Sequence, residues 1–415
     1  MLVAAVVSAT CCIIVVFFAC SFFKTPSLGV LDLAVFEPPA DHRISKSNYM
    51  DFLVSTNFFS QESLNFQEKI LYLSGLGDAT PLPEGFTSSS STFSYEETLQ
   101  ITCKTMFATC ATLFSKTSID PQSIQYVIVT SSFFSATPSL AHRIIDHFSL
   151  SAEVPIALVG MGCAESLIAV DLLNRITSSC PGRCLVVSIQ PFTSSFYKGA
   201  NRSMLIPNCL FRFGCSAVLL SNLPRDRALF KFTLNHIHRS VEPVGSVHAL
   251  EYKQDKEGHV GFFLSPDLLE HYLKVIRKNL MFLAPKVFST SVIISYLFDF
   301  LKFLINPSFK LPPSWPSFSK GADHFCIHAG GRGVLDALEQ SLDLSDSQRE
   351  SGRQVLENYG NMSGCCVWYS LLWLMDNNKI LPRETVWLLG FGSGMECVSC
   401  VLKKQGVRSL LYILR

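Results

Sequence analysis

Short apolar runs of strand length alternate with amphipathic segments of helix length through most of this chain, and that alternation restricts it to an α/β architecture. Tyr126 to Val129, Ile156 to Gly160, Cys184 to Ile189 and Ser216 to Leu220 read as buried strands. A helix is expected over Ser166 to Ile176 and another from near Tyr95. The pattern returns with a strand at Phe325 to His328, helices near Val334 to Leu342 and Cys366 to Met375, and a strand at Thr385 to Leu389. Two related halves are therefore expected, although their sequence likeness is too weak to establish a repeat.

Hydrophobic residues make up 48% of the 415 residues and charged residues 16%, more apolar than an ordinary soluble domain, so part of the surface is expected to meet lipid. Leu2 to Phe23 contains no charged residue, is about long enough to cross a bilayer, and is closed by Lys24. A retained anchor over residues 1–24 is the expectation, with a cleaved secretory signal as the competing reading. No basic residue precedes the run, and the 15 cysteines sit in apolar stretches such as Cys11-Cys12 and Cys365-Cys366, as reduced core thiols do. Cys180 and Cys184 lack a second close pair and make a weak zinc motif. The net charge of +1 comes from scattered Lys and Arg, without the basic stripe that nucleic acid would need.

Residues 25–94 read as an arm, with Glu37-Pro38-Pro39 and Leu82-Pro83-Glu84 as breakers. Residues 95–222 form the first half and 223–415 the second. Inside the second half, the apolar segment 275–307 is interrupted by Lys286, Asp299 and Lys302. It suits the membrane interface or the roof of an apolar tunnel better than a span, and a buried pair of core helices fits its composition equally well.

Four strings carry chemistry. Val159-Gly-Met-Gly-Cys163-Ala-Glu165-Ser places a cysteine where a strand ends, glycines permit a sharp turn and a helix begins. Helix-terminal N–H groups favour a thiolate there. His324-Phe-Cys-Ile-His328-Ala-Gly-Gly-Arg332 ends an apolar strand at a histidine, and His324 and His328 would stand ~13 Å apart on a strand, too far to share a metal. Gly360-Asn361-Met-Ser places Asn361 at a helix start, as an N-cap or a chance sequon. Gly390-Phe-Gly392-Ser393-Gly394 is a turn that could offer a backbone N–H to an oxyanion.

In this order and spacing the four strings resemble the plant 3-ketoacyl-CoA synthases, the condensing enzymes of very-long-chain fatty acid elongation. Thr56 to Leu82, Ala136-Thr-Pro-Ser-Leu140, Asn201 to Leu205 and Pro207 to Arg212 agree, and the likeness runs from about Leu31 to Cys400. The resemblance implies an α/β, thiolase-like fold of two fused αβαβα halves, preceded by an N-terminal membrane helix. It implies an acyltransferase in which Cys163 carries the acyl group, while His328 and Asn361 stabilise the enolate formed when malonyl-CoA loses carbon dioxide. His324, His236 and Ser393 are possible supporting residues. Long-chain acyl-CoA and malonyl-CoA would be the substrates, with no metal or other cofactor. Membrane lipid, a second copy of the chain and other elongase subunits would be its partners, at the endoplasmic reticulum membrane with the catalytic part facing the cytosol.

The chain departs from the family pattern in several places. Glu165 stands where a small residue is usual, and a charge there would oppose a nearby thiolate. Family histidines fall on Val241 and Glu357. One membrane segment stands where two are common, and the chain ends soon after Cys400 without the usual tail, as a truncated form would. These departures leave a weakly active or non-catalytic paralogue that regulates the elongation complex by dimerising as the alternative, with a chalcone-synthase-like polyketide synthase as a third reading.

Overall fold

A computed structural model describes residues 28–86, 94–242, 245–305 and 316–406. The expected anchor lies outside them. The elements begin with β1 (Gly29–Val35), β2 (Arg43–Ile44), α1 (Lys46–Ser55), α2 (Gln61–Leu73), β3 (Thr80–Pro81), α3 (Tyr95–Lys116), β4 (Ile124–Ser131), α4 (Leu140–Phe148), β5 (Val154–Val159) and α5 (Glu165–Ser179). They continue with β6 (Arg183–Gln190), α6 (Arg202–Leu210), β7 (Gly214–Ser221), β8 (Phe232–Val241), β9 (Leu250–Gln254), β10 (Val260–Leu264), α7 (Leu268–Val287) and α8 (Thr290–Ile305). Last come β11 (His324–Ile327), α9 (Arg332–Leu342), α10 (Asp346–Tyr359), α11 (Cys366–Asp376), β12 (Thr385–Gly392) and β13 (Glu396–Lys404).

One nine-stranded sheet runs β11-β12-β13-β8-β1-β7-β6-β4-β5. Its two parts are wired alike. On one side β1 pairs antiparallel with β7, β7 antiparallel with β6, and β6 parallel with β4. On the other, β8 pairs antiparallel with β13, β13 antiparallel with β12, and β12 parallel with β11. The parts join where Gly29 and Val30 face Thr233 and Phe232. β5, parallel to β4, has no counterpart beyond β11 among the described residues.

Strand residues split between two cores with a period of two, because both faces of the sheet are covered. In β6, Leu185, Val187 and Ile189 face one core while Cys184 and Val186 face the other. The second core is filled by α5 and α11, through Leu167, Val170 and Leu173 from one and Trp368, Leu371 and Leu374 from the other. Burial on both faces explains why the strands read as continuous apolar runs.

Two expectations need correction, and a third is sharpened. Gly29–Val35, counted with the arm, is a central strand; its Asp32 is buried and bonded to Lys231 Nζ at 2.6 Å, which masked the strand in the sequence. Ile156 to Gly160 is not a buried strand: β5 lies at the sheet edge, and its residues are half-buried or exposed. Segment 275–307 divides into two helices bent by 109°, neither alone long and apolar enough to cross a membrane. α7 packs Val275, Ile276, Leu280 and Leu283 into the core, whereas α8 leaves Ile294 and Phe298 each 60% exposed and Leu301 50% exposed.

Candidate active site

Cys163 stands in a single 3-10 turn, Gly162–Ala164, between β5 and the first residue of α5. The turn needs Gly162, whose φ of +61° suits a residue without Cβ; a Cβ there would also run into the Ser393 hydroxyl. Gly392, at the end of β12, approaches the Cys163 backbone N so closely that no side chain fits between them. The turn after β12 therefore lies against the nucleophile turn, bringing Ser393 to the site.

His328 follows β11 directly, and its backbone N–H donates to Leu389 O at 2.9 Å on the neighbouring strand. The side chain is buried, Nδ1 has no hydrogen-bond partner among the described residues, and the ring meets Phe391 edge-on at 5.3 Å. Phe391 in turn meets Tyr272 of α7 at 5.0 Å. This apolar wall pushes the imidazole down to about 4, against a smaller upward pull from a backbone hydrogen bond with Ser363. His328 is thus a neutral N–H donor and acceptor at physiological pH.

Asn361 precedes the 3-10 turn Ser363–Cys365 that starts α11. Its Nδ2 donates to Gly330 O at 3.2 Å, leaving that amide a second N–H, and its Oδ1 accepts from Ser363 N at 2.9 Å. Its backbone is fixed on both sides, by Asn361 N to Leu210 O at 3.0 Å and Arg212 N to Asn361 O at 2.8 Å. Arg212 is fully buried: Nε donates to Thr80 Oγ1 at 2.8 Å, Nη1 donates to Phe211 O at 2.7 Å, and the guanidinium lies over Tyr49. The string ending at Arg212 thereby ties the arm to the Asn361 turn.

The residue where these strands of structure meet is Ser363. Its hydroxyl faces the Cys163 thiol, its backbone bonds His328, and its N–H donates to Asn361. A second hydroxyl, Ser132 Oγ, is hydrogen-bonded to it. Ser363 holds a φ of +54°, unusual for a residue with a Cβ and worth ~1–3 kcal/mol of strain. Sequence reasoning met Ser363 only as the third residue of a sequon; the signal that could have found it is its place two residues after Asn361.

Burial drives the Cys163 thiol up to about 12, the Ser363 hydroxyl opposing and nearby Glu165 reinforcing the shift. Glu165 itself is wholly buried, and burial raises its carboxyl well above the usual range. Burial thus opposes the charge that the sequence suggests beside the nucleophile. Tyr272 was missed altogether. It belongs to an amphipathic helix with no motif around it, and its buried phenol, also held protonated, faces Cys163.

Other expected residues fall elsewhere. His324 is at the opposite end of β11 from His328 and bonds Glu384 Oε2 through Nε2 at 2.9 Å. His236 lies on β8 opposite Val401, with Lys286 as its charged neighbour. The two family histidine positions are peripheral: Val241 is exposed, and Glu357 contributes its backbone O to Gly77 N at 2.7 Å.

Comparison with known proteins fits this geometry. Residues 21–304 match the family described as FAE1/Type III polyketide synthase-like protein, and residues 321–405 match the C-terminal domain of chalcone and stilbene synthases. Among curated proteins, 3-ketoacyl-CoA synthase 5 of Arabidopsis thaliana is 34% identical over 94% of this chain and 80% of its own length. 3-Ketoacyl-CoA synthase 17 of the same plant is 37% identical over 92% and 79%. Among solved structures, a fungal type III polyketide synthase matches with a TM-score of 0.69 at 19% identity, covering 91% of this chain and 100% of that one. A polyketide synthase of the brown alga Ectocarpus siliculosus matches at 0.73 and 15% identity, over 92% and 100%. The fold is the thiolase-like α/β fold of these enzymes.

Proposed function

Because the chain belongs to the FAE1/type III polyketide synthase-like family, and within it to the 3-ketoacyl-CoA synthases, we propose that it condenses malonyl-CoA with a long-chain acyl-CoA to give a 3-oxoacyl-CoA. The observation that carries this reading is the meeting of Cys163, His328 and Asn361 around Ser363. Cys163 Sγ attacks the acyl-CoA thioester and holds the acyl group while CoA leaves. Malonyl-CoA then loses carbon dioxide, and the enolate oxygen receives hydrogen bonds from neutral His328 and the second Asn361 N–H. The enolate carbon attacks the acyl thioester, and the backbone N–H groups of Cys163 and Ser393 hold the tetrahedral oxyanion until Sγ is expelled. The aromatic wall of Tyr272 and Phe391 keeps the acyl end dry. No metal or other cofactor enters these steps.

The non-catalytic alternative rested mainly on a charge at Glu165. Burial opposes that charge, and the 3-ketoacyl-CoA synthase relatives support the condensing reading.

Partners and location follow from surfaces. The half-exposed β5 edge supports a homodimer formed strand against strand. The apolar face of α8, with Lys302 over Phe298, and the adjoining end of α7, with Lys286 over Phe282, support contact with lipid headgroups and acyl chains at the endoplasmic reticulum membrane. The catalytic part would face the cytosol, beside other elongase subunits and anchored by residues 1–24. A photoreactive residue in place of Phe298 should crosslink to lipid in native membranes; crosslinks to protein alone would rule out that contact.

The activity is tested with membranes containing the chain, long-chain acyl-CoA and labelled malonyl-CoA. Labelled 3-oxoacyl product is expected, and a yield no higher than that of Cys163→Ala would overturn the reading.

A further inference from the structure

Arg212 is a buried cation that the condensation steps leave unused. It is 1% exposed, and its guanidinium stays charged. Its hydrogen-bond acceptors are neutral: Thr80 Oγ1 takes Nε at 2.8 Å, and Nη1 donates to Phe211 O at 2.7 Å and to Asn208 O at 3.5 Å. The plane lies 4.9 Å from the centre of the Tyr49 ring, whose hydroxyl donates to the same Asn208 O at 2.7 Å. Among the described residues no carboxylate forms an ion pair with it. A desolvated cation without an anion is costly, and carbonyl dipoles offset only part of that cost, so its presence calls for an explanation.

The explanation lies in what the charge holds. Phe211 and Asn361 form an isolated parallel bridge, closed by Asn361 N to Leu210 O at 3.0 Å and Arg212 N to Asn361 O at 2.8 Å. Side chains alternate along extended backbone, so Phe211 and Asn361 share one face of the bridge while Arg212 takes the other. On its own face Arg212 passes Gly360, at φ +71°, so closely that a Cβ there would stand 2.5 Å from Arg212 Cγ. The chain leading to Asn361 is gripped from the arm as well, by Gly77 N to Glu357 O at 2.7 Å and Arg43 Nη1 to Asn358 O at 2.9 Å. One side chain thus links Thr80 of β3 and Tyr49 of α1, through the end of α6, to the backbone that carries Asn361.

We propose that Arg212 is a positioning residue for Asn361: its guanidinium, clamped between the arm and the end of α6, fixes the Phe211–Asn361 bridge and so aims the second Asn361 N–H at the enolate oxygen. This rests on the condensing reading above and deepens it. Only one Asn361 N–H is held by a side-chain bond, to Gly330 O at 3.2 Å, so the direction of the other depends on where the backbone sets the residue. A small misplacement there is costly, because the enolate forms only in that step. A planar fork can meet a hydroxyl and two carbonyls at once while stacked on a ring, which a neutral side chain or a lysine cannot. Cys163 is carried by a separate turn after β5, so its acylation does not call on this clamp.

The test follows the two half-reactions separately in wild type, Arg212→Ala, Asn361→Ala and the double variant. Acylation of Cys163 by a long-chain acyl-CoA is read by mass spectrometry, and decarboxylation as carbon dioxide released from carboxyl-labelled malonyl-CoA by the acylated enzyme. Wild type must show both; absence of either would count against the condensing reading rather than the positioning role. Arg212→Ala should slow carbon dioxide release at least ~10-fold while acylation changes less than ~3-fold. Added to Asn361→Ala, it should cost less than ~3-fold more, since the group it aims is already gone. Equal losses in both half-reactions, or an undiminished loss in the Asn361→Ala background, would overturn the proposal. If Arg212→Ala fails to fold, Thr80→Val, which removes the acceptor of Nε at nearly equal volume, decides by the same split and the same cycle.

Discussion

Two turns of this molecule have nearly the same backbone and opposite chemistry. In the first part of the sheet, Met161, Gly162, Cys163 and Ala164 lead through a 3-10 turn into α5; in the second, Met362, Ser363, Gly364 and Cys365 lead through another into α11. Glu165 and Cys366, which open the two helices, share φ −51° and ψ −41°. The positive-φ position is Gly162 at +61° in one and Ser363 at +54° in the other. Glycine takes that conformation without penalty, and serine does not. Cys163 occupies the place that Gly364 holds in the second turn. The first turn thus supplies the reacting atom on a relaxed backbone, while the second holds a strained hydroxyl against it and removes a side chain to admit Glu165. Strain that local preference would remove is kept where the hydroxyl meets the nucleophile.

The comparison can be broken at several points. Replacing Cys163 with Ala should lower condensation at least ~10³-fold, measured as 3-oxoacyl product, because the thiol that carries the acyl group is removed. His328→Ala or Asn361→Ala should each cost about 10²–10³-fold in the malonyl-dependent step, as loss of one oxyanion donor does, while acylation of Cys163 by acyl-CoA changes less. Equal losses in both half-reactions would place these residues in general support of the fold.

Gly364→Ala should destabilise the chain by about 1–3 kcal/mol, because the new Cβ meets Glu165 Cγ at 2.7 Å. Glu165→Ala should relieve much of that cost, so the double variant melts higher than additivity predicts. Ser363→Gly should be more stable than Ser363→Ala by about 1 kcal/mol, since both lack the hydroxyl and only glycine relaxes the positive φ. Equal melting temperatures would mean that Ser363 carries no strain.

Acid and base should separate the two buried groups. The folded state lowers His328 to about 4 from an ordinary 6.5, so it favours the neutral ring. That contribution is present above 6.5 and is lost as pH falls from there towards 4. The folded state raises Glu165, so its contribution is fully present below 4.5 and fades as pH rises. Glu165→Gln should therefore melt above the wild type by a margin that grows with pH from 4.5 upward. A margin that stays flat would show an unshifted carboxyl.

Much of this was legible because burial on both sheet faces writes strands as apolar runs, and because glycine and histidine punctuation marks where strands end. Cys163, His328 and Asn361 stood out in that way. β1 did not, since Gly29–Val35 contains a buried Asp32 whose partner Lys231 is distant in sequence. Glu165 looked like a helix-start charge, because sequence shows its position but not its desolvation. Ser363 was hidden for a related reason: its role depends on Ser132 just after β4, His328 just after β11 and the Cys163 turn, which only the fold assembles. His324 shows the converse: the resemblance made it a possible supporting residue, and the strand that separates it from His328 carries it to the far end, against Glu384.

The central claim is that Cys163, and not another of the buried thiols, carries the acyl group. Brief incubation with a long-chain acyl-CoA, acid quenching and peptide mass spectrometry tests it directly. The account predicts an acyl thioester confined to the Cys163 peptide, discharged as 3-oxoacyl-CoA when malonyl-CoA is added before the quench. An adduct on Cys365 or Cys366, or product formation with Cys163 unacylated and replaceable by Ala, would contradict it.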